Sequence, residues 1–393
     1  MSNAKIQVVS LLILLNVNLF RLSFGNKDDA STTLTLSTLT TSPLTTTPTD
    51  NIRFDEYEEN NEEVYDDIGT DPLSTNITTN TTTTIEVPIY IRKPCGFTKY
   101  CVKHEECGSR TGKIIIELDR PENYLCHYLE TCCEESEIKK SPSPREVNSA
   151  NNQCGITNVE GLYMTVKSSG NETSFAEYPF VVAILDSASN PICNGVLISH
   201  TVVLSAASCF PPNETMIVRA GDWDLLTDNE IVPHEDRLVK KTIVHKKFIL
   251  SDFLYNLALA ILESAFPRTR HIVPVCKYDD LGTSILNTSC IAVGWNVFKY
   301  AKFPPERNIV FKMDVDTTKT SKSDWDGSIK SSVSLSRRYN FMGSPLICPN
   351  ERNQYFVVGI WSYMTGEKNQ PVFANVTKNR EWINEHLMRD GEF

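Results

Sequence analysis

The amino-acid sequence predicts a mainly β protein that ends in a helix and consists of two disulfide-stabilised units behind a long unstructured tail. Short apolar runs separated by turn residues recur through the second half of the chain, which is typical of an all-β barrel or sandwich. These runs include 180–185, 195–199, 202–205, 238–244, 291–295 and 356–361. Twelve cysteines form two groups of six, at 95–133 and 154–348, and an even number in a secreted chain indicates a closed set of disulfides. Trp382, Ile383 and Leu387 recur at helical spacing and predict the final helix.

The first 25 residues have the pattern of a cleaved signal peptide. Lys5 precedes an apolar run from Ile6 to Phe20, and small residues surround a cleavage position near Gly25. No later stretch of the sequence approaches the roughly 20 apolar residues that a membrane-spanning helix needs. We therefore expect a secreted, extracellular protein without a membrane span. Sequons that permit N-glycosylation begin at Asn76, Asn80, Asn171, Asn213, Asn287 and Asn375.

Residues 26–90 are predicted to form a disordered tail. They are rich in Thr, Ser, Pro, Asn and acidic residues, and they offer too little apolar surface to offset the entropy of ordering. The net charge of −11 is largely local, because 54–67 contains eight acidic residues and no Lys or Arg. The Thr-rich part, 31–49, resembles an O-glycosylated stalk. The secretion signal and the absence of a basic patch in the sequence disfavour binding to nucleic acid.

The first six cysteines lie in a segment that is too short to bury a sufficient core, since units below roughly 40 residues usually need disulfides or metals. The Cys-x2-Cys pairs of a structural zinc site are absent, and Cys132 and Cys133 are adjacent, so we favour three disulfides over zinc. Six cysteines allow fifteen pairings, and the spacing alone does not choose between them. The run 113–118 predicts a strand in this unit.

Several motifs in the second half resemble chymotrypsin-like serine proteases. Residues 206–209 read Ala-Ala-Ser-Cys, similar to the family's Ala-Ala-His-Cys, and 345–348 read Pro-Leu-Ile-Cys, similar to the end of its nucleophile segment. Residues 178–180 and 293–295 match the family's first-strand entry and its mid-domain Gly-Trp. The resemblance implies a double six-stranded β-barrel with a C-terminal helix, here 154–393.

The spacing of the first six cysteines resembles the clip domain that precedes many arthropod serine proteases and their inactive homologues. Residues 218–239 resemble inactive clip-domain members, including prophenoloxidase-activating cofactors. This resemblance implies a clip domain at 91–135 and a linker at 136–153. It also implies the pairs Cys95 with Cys132, Cys101 with Cys126, Cys107 with Cys133, Cys154 with Cys276, Cys193 with Cys209, and Cys290 with Cys348.

The same resemblance assigns three catalytic positions, none of which holds its catalytic residue. Ser208 stands at the histidine position, and a hydroxyl has no basic lone pair near neutral pH. Asn256 stands at the aspartate position and carries no charge to stabilise an imidazolium. Met342 stands at the nucleophile position, and a thioether has no transferable proton. The sequence therefore predicts a catalytically inactive protease homologue that needs no cofactor.

Neighbouring positions also depart from the family pattern. Phe341 replaces the aspartate that receives the new N-terminus after zymogen cleavage, and no Arg or Lys is followed by Ile-Val-Gly-Gly before Tyr178. Asn340 replaces the oxyanion-hole glycine, and Ser336 stands at the base of the specificity pocket. Ordinary activation therefore lacks both its trigger and its receptor.

These features predict a secreted, non-catalytic cofactor or adaptor in an extracellular proteolytic cascade of the innate immunity or melanisation type. Its expected partners are extracellular proteins, either clip-domain proteases or their zymogen substrates. An extracellular matrix or adhesion component and an active serine endopeptidase with altered catalytic residues are the alternatives.

In the exposed linker, Lys139, Lys140 and Arg145 are candidate cleavage sites, and a cut there would free the clip domain or expose a binding surface. Asp222 and Glu235 offer oxygen ligands of the kind calcium prefers, but acidic loop residues are usually just solvated, so no metal is assigned.

Overall fold

The computed structural model describes ten stretches of the chain. They are 92–108, 112–121, 123–139, 153–277, 289–297, 307–316, 321–322, 327–336, 339–366 and 368–389. The predicted signal peptide and tail lie outside these stretches, as do most of the linker, the sequons at Asn76, Asn80 and Asn287, and the cleavage candidates Lys140 and Arg145. From Lys93 onward the described residues belong to one unit.

The first cysteine-rich segment contains four short strands. They are β1 (Pro94–Gly96), β2 (Lys99–Lys103), β3 (Ile114–Glu117) and β4 (Glu130–Glu134). Strands β1, β2 and β4 form an antiparallel sheet in that order. Ile138 packs against the small apolar cluster of this sheet, and the Lys139 N–H donates to Glu106 O at 2.8 Å. The contacts of this cysteine-rich segment thus continue through Lys139, into the stretch predicted as linker.

All twelve cysteines form disulfides. The pairs are Cys95–Cys132, Cys101–Cys126, Cys107–Cys133, Cys154–Cys276, Cys193–Cys209 and Cys290–Cys348. The Cys154–Cys276 bridge fixes the chain where it leaves the linker, and a glycine is required beside it. Gly155 has φ +66°, and a Cβ there would lie 2.4 Å from Tyr355 O, so a side chain would collide with backbone.

A closed barrel of six antiparallel strands follows a short connecting strand. The strands are β5 (Met164–Lys167), β6 (Val181–Leu185), β7 (Pro191–Ser199), β8 (Val202–Ser205), β9 (Ile217–Ala220), β10 (Glu235–Val244) and β11 (Ala258–Leu262). The barrel order is β10-β11-β8-β7-β6-β9. Strands β6 and β11 are continuous apolar runs and are buried at every residue, as expected for strands covered on both faces.

The second half of this domain is a seven-stranded sheet followed by a helix. Its strands are β12 (Ser289–Gly294), β13 (Phe311–Asp316), β14 (Ser321–Lys322), β15 (Ile329–Lys330), β16 (Pro345–Pro349), β17 (Tyr355–Met364) and β18 (Pro371–Asn375). Their order is β13-β12-β16-β17-β18-β15-β14. The helix α1 (Arg380–Arg389) buries Trp382, Ile383 and Leu387. The mainly β architecture with one C-terminal helix confirms the predicted fold class.

The predicted strand of the clip segment pairs outside its own sheet. Strand β3 lies parallel to β5, with Ile114 opposite Met164 and Glu117 opposite Lys167. Hydrogen bonds continue at both ends, from Ile114 N–H to Tyr163 O at 2.8 Å and from Leu118 N–H to Lys167 O at 3.0 Å. The clip segment and the protease-like domain therefore share a two-stranded sheet.

Side chains extend this docking. Ile116 is 1% exposed and Leu118 4% exposed, and both belong to the main core that also contains Phe175. Arg307 Nη1 donates to Leu118 O at 3.1 Å. Tyr128 O–H donates to an Asp224 carboxylate oxygen. The clip segment is thus held by main-chain pairing, apolar burial and partly buried polar contacts together.

Within the described stretches, no helix has the length and apolar character needed to cross a membrane.

Candidate functional site

The three positions assigned to catalysis come from both halves of the double barrel. Ser208 lies in the 3-10 turn Ala207–Cys209 that follows β8, and Asn256 immediately precedes Leu257 and β11. Met342 lies in the turn before β16. Its backbone carbonyl accepts a hydrogen bond from the Asn194 N–H of β7 at 2.8 Å, which ties the second half of the domain to the first.

The side chains of these three residues form a hydrogen-bonded set. Asn256 is fully buried; its Oδ1 accepts from the Ser208 N–H at 2.9 Å. Its Nδ2 donates to Ser208 Oγ at 3.1 Å and to Ser362 Oγ at 2.9 Å. The Ser208 hydroxyl in turn lies 3.5 Å from the Met342 Sδ. The family's three positions therefore meet here as a polar contact made by a hydroxyl, an amide and a thioether, with the Ser362 hydroxyl as a further partner of the amide.

No member of this set can carry out the family's proton transfers. A general base must accept a proton near the working pH, and neither a hydroxyl nor a side-chain amide does so. The Met342 sulfur is a weak acceptor without a proton to give up. The arrangement is suited to holding the two halves of the domain together.

The two backbone N–H groups that correspond to the oxyanion hole are already engaged. The Met342 N–H donates to Asn340 Oδ1 at 3.2 Å, and the Asn340 N–H donates to Asn296 Oδ1 at 2.7 Å. An oxyanion hole stabilises developing charge with donors that are aimed at the reacting carbonyl. Here the side-chain amide oxygens of Asn296 and Asn340 accept the hydrogen bonds that a reacting carbonyl would otherwise receive. Ser336, which the resemblance assigns to the base of the specificity pocket, is exposed, and its carbonyl accepts from the Tyr339 N–H at 3.1 Å.

Phe341, at the position of the family's zymogen aspartate, belongs to an aromatic cluster. It is 3% exposed, and its ring centroid lies 5.8 Å from that of Phe311, 5.9 Å from Tyr339 and 5.5 Å from Trp361. Such offset ring contacts are favourable beyond the buried area alone. A new N-terminal ammonium would meet apolar rings in place of a carboxylate, so the family's activation contact has no receptor in this cluster.

Three carboxyl groups are buried in the loop after Gly221. Burial raises the pKa of Asp222 to about 6, and the charges of His234 and Arg219 oppose that rise. Burial, reinforced by the negative charge of Asp222, raises the pKa of Glu230 to about 9. Burial also raises the pKa of Asp224. At pH 7 the Glu230 carboxyl is therefore neutral.

The two acidic residues that the sequence analysis singled out in this region, Asp222 and Glu235, both contact arginines. Asp222 lies 3.5 Å from Arg219 Nη1, and Glu235 pairs with Arg237 at 3.0 Å. Asp224, which the sequence did not single out, accepts from the Asn308 N–H at 2.7 Å and from the clip residue Tyr128. The sequence offered one sign of a role for Asp224, its place in the Asp-Trp-Asp motif at 222–224, because Tyr128 and Asn308 are distant in the chain.

The three sequon asparagines in the described stretches differ in exposure to solvent. Asn171 and Asn213 are exposed. Asn375 is 4% exposed; its Nδ2 donates to Gly327 O at 2.8 Å and its Oδ1 accepts from the Lys378 N–H at 3.0 Å. Glycosylation of Asn375 stays a prediction, and it would require Nδ2 to leave its contact with Gly327. Of the cleavage candidates, Lys139 is exposed, and its Nζ donates to Glu105 O at 3.0 Å.

A closed six-stranded barrel joined to a seven-stranded sheet, with the assigned catalytic positions contributed from both, is consistent with the class of chymotrypsin-like serine protease folds. A sequence model of the trypsin family matches residues 166–383, and the chain belongs to that family.

The relatives are clip-domain serine protease homologues. Phenoloxidase-activating factor 2 of Galleria mellonella is 28% identical over 65% of this chain and 95% of its own length. Inactive CLIP domain-containing serine protease A8 of Anopheles gambiae is 26% identical over 72% of this chain and 84% of its own length. Inactive CLIP domain-containing serine protease A28 of the same species is 24% identical over 73% of this chain. Two of these three relatives are thus named as inactive.

Proposed function

We propose that this chain is a secreted, catalytically inactive serine protease homologue that acts as a cofactor or adaptor in an extracellular proteolytic cascade. The hydrogen-bonded set of Ser208, Asn256 and Met342 carries the proposal, because it contains neither a base nor a nucleophile. Triad members act as a unit, and loss of the nucleophile or base alone costs on the order of 10⁶ in turnover. The engaged N–H groups of Asn340 and Met342 support the same conclusion.

The proposed mature protein begins after a signal peptide at 1–25 and carries a tail at 26–90, a clip domain at 91–135, a linker at 136–153 and a protease-like domain at 154–393. Its partners are clip-domain proteases or their zymogen substrates. The names of the relatives, one a phenoloxidase-activating factor and two inactive proteases, favour a cascade of the innate immunity or melanisation type.

Two other functions agree less well with these contacts. An active endopeptidase would need a base close to Met342, and the polar partner described at its sulfur is the Ser208 hydroxyl. An extracellular matrix component is motivated by the Thr-rich stalk at 31–49. The docked clip segment favours the cofactor, since a spacer has no need for strand pairing and a shared core between its two domains.

A reconstituted reaction tests the proposal. A purified clip-domain protease and its zymogen substrate are mixed with and without this protein, and zymogen conversion is followed by gel. We expect faster conversion with the protein present. Alone, before or after limited trypsin treatment, the protein should give no peptide hydrolysis and no labelling by a fluorophosphonate, with trypsin as the positive control. Labelling that persists after repurification would contradict catalytic silence, and unchanged zymogen conversion would contradict the cofactor role.

A further inference from the structure

The edge of β3 that faces away from β5 is a surface that the function proposed above does not use. Strand β3 belongs to a two-stranded sheet, and within the described stretches no strand pairs with its second edge. We propose that this edge binds the same edge of a second copy of the chain, so that two β3 strands pair antiparallel about a twofold axis at Ile115. The proposal concerns a separate surface and does not rest on the cofactor role.

The main chain of β3 offers hydrogen-bonding groups along this edge. The Ile114 N–H donates to Tyr163 O, on the side of β5. Successive N–H groups of a strand point to opposite edges, so the N–H groups of Ile115 and Glu117 point away from β5. In the part of the chain that the structure describes, neither of these two groups has an acceptor. An unpaired strand edge of this kind is a template for pairing with another chain.

The outer face of β3 carries a basic, an apolar and an acidic side chain in alternation. Lys113, Ile115 and Glu117 are exposed, whereas the two isoleucines between them are buried. The Lys113 Nζ donates to Val159 O at 3.1 Å. Among the described residues, neither Lys113 nor Glu117 has an oppositely charged group within 4.0 Å. Both charges are therefore available to a partner.

Charge complementarity selects a second copy as that partner. When two β3 strands run antiparallel with Ile115 opposite Ile115, Lys113 of each strand lies opposite Glu117 of the other. Two isoleucines then meet at the axis, and an ion pair flanks them on each side; cross-strand pairs of both kinds are favourable. A register shifted by two residues would place Ile115 opposite Glu117 and lose the apolar contact. The edge is thus complementary to itself in one register.

The extent of the edge sets the expected strength of the dimer. Residues 113–117 span roughly 17 Å, which is short for a stable interface, since such interfaces bury about 1,200 Å² or more. We therefore expect a weak dimer that dissociates on dilution. Sedimentation equilibrium of the full, uncut chain from about 1 to about 200 µM covers the range in which small interfaces associate.

Charge reversal tests the register. Lys113→Glu and Glu117→Lys should each raise the dimer dissociation constant at least about tenfold, because each places like charges opposite one another. An equimolar mixture of the two variants should dimerise like the parent chain, since every opposed pair is again of opposite sign. This recovery would also show that both variants are folded. Lys240→Glu reverses an exposed charge on β10 and, as the matched control, should leave the dissociation constant unchanged.

A cysteine at the proposed axis gives a second measurement. The twelve native cysteines are all in disulfides, so Ile115→Cys adds a single free thiol. The Cα atoms of a hydrogen-bonded antiparallel pair lie about 5.5 Å apart, within the range that a disulfide spans. Mild oxidation should therefore link Ile115→Cys into a covalent dimer. Ile249→Cys, at an isoleucine of similar exposure (46% against 51%), is the control and should stay monomeric.

Three results would overturn the proposal. The first is a parent chain that stays monomeric over the whole concentration range. The second is a mixture of Lys113→Glu and Glu117→Lys that associates no better than either variant alone. The third is equal crosslinking of Ile115→Cys and Ile249→Cys, since it would show that the thiols meet by random collision.

Discussion

At the scale of single residues, the three positions assigned to catalysis by the family resemblance hold side chains that contact one another. Asn256 is fully buried and makes three hydrogen bonds, two with Ser208 and one with Ser362. Buried polar groups are costly unless they are paired. An amide in this place satisfies its neighbours without the desolvation cost of a buried charge. Asn256 thereby links Ser208 in the first half of the domain to Ser362 in the second half.

The buried Glu230 gives a prediction about pH. Its pKa is raised to about 9 by burial and by Asp222, so the folded chain retains a proton that the unfolded chain has lost. The free energy of unfolding should therefore fall as pH rises from about 4.5 through about 9. Glu230→Gln removes this term and should be more stable than the parent at pH 8 by more than about 1 kcal/mol, and by less at pH 5.

Urea unfolding at both pH values, with EDTA present to exclude divalent cations, measures the effect. Glu263→Gln, at an exposed glutamate after β11, is the control and should follow the parent curve. Parallel pH profiles for Glu230→Gln and the parent protein would contradict the prediction.

Residue-level features were predictable to different degrees. The positions of Ser208, Asn256 and Met342 could be assigned because each lies inside a short, ordered motif. Burial of Asn375 could not be assigned, because its partner Gly327 lies in another segment and a sequon carries no information on burial. The bond between Tyr128 and Asp224 joins two domains and was likewise outside the reach of local patterns.

At the scale of elements, β3 shows what a strand pattern leaves undetermined. Its alternation is clear, with Ile114 and Ile116 buried and Ile115 51% exposed. A run of this kind predicts a strand but says nothing about which strand it pairs with. Here the partner is β5 of the neighbouring domain, in parallel register. Both strands are short, so their pairing depends on the apolar contacts beneath them.

Two isoleucines of β3 allow a matched test of this docking. Ile116→Ala should lower the free energy of unfolding by about 2–4 kcal/mol because it leaves a cavity in the shared core. It should also speed amide hydrogen exchange in β5. Ile115→Ala removes the same atoms from the exposed face and should change stability by less than about 0.5 kcal/mol. Equal effects of the two substitutions would show that β3 is not packed as described.

At the scale of the whole molecule, the docked clip segment changes the expectation for linker cleavage. The sequence-based hypothesis was that a cut would free the clip domain to rearrange or expose a binding surface. The three clip disulfides stay within 95–133 and no bridge crosses to the protease-like domain, yet Ile116 and Leu118 are buried in the main core. After cleavage, the clip segment should therefore remain bound without a covalent link.

A chain with a specific protease site placed within 141–150 tests this expectation. After complete cutting, the two fragments should co-elute in native size-exclusion chromatography and separate on a non-reducing denaturing gel. Adding Ile116→Ala to the cut chain should promote dissociation during chromatography. Separate elution of the fragments from the cut parent chain would restore the original hypothesis of a released clip domain.

The β3–β5 pairing also affects the resistance of the chain to proteolysis at Lys167. Lys167 ends β5, and its carbonyl accepts from the Leu118 N–H at 3.0 Å. On the inner side, the Val166 N–H donates to Ser174 Oγ at 3.0 Å. A trypsin-like enzyme binds its target as a free extended strand, so β5 must first detach from β3. The rate at which the peptide bond after Lys167 is cleaved then depends on how often this local opening occurs. By pairing with β5, the clip segment protects that bond from proteolysis.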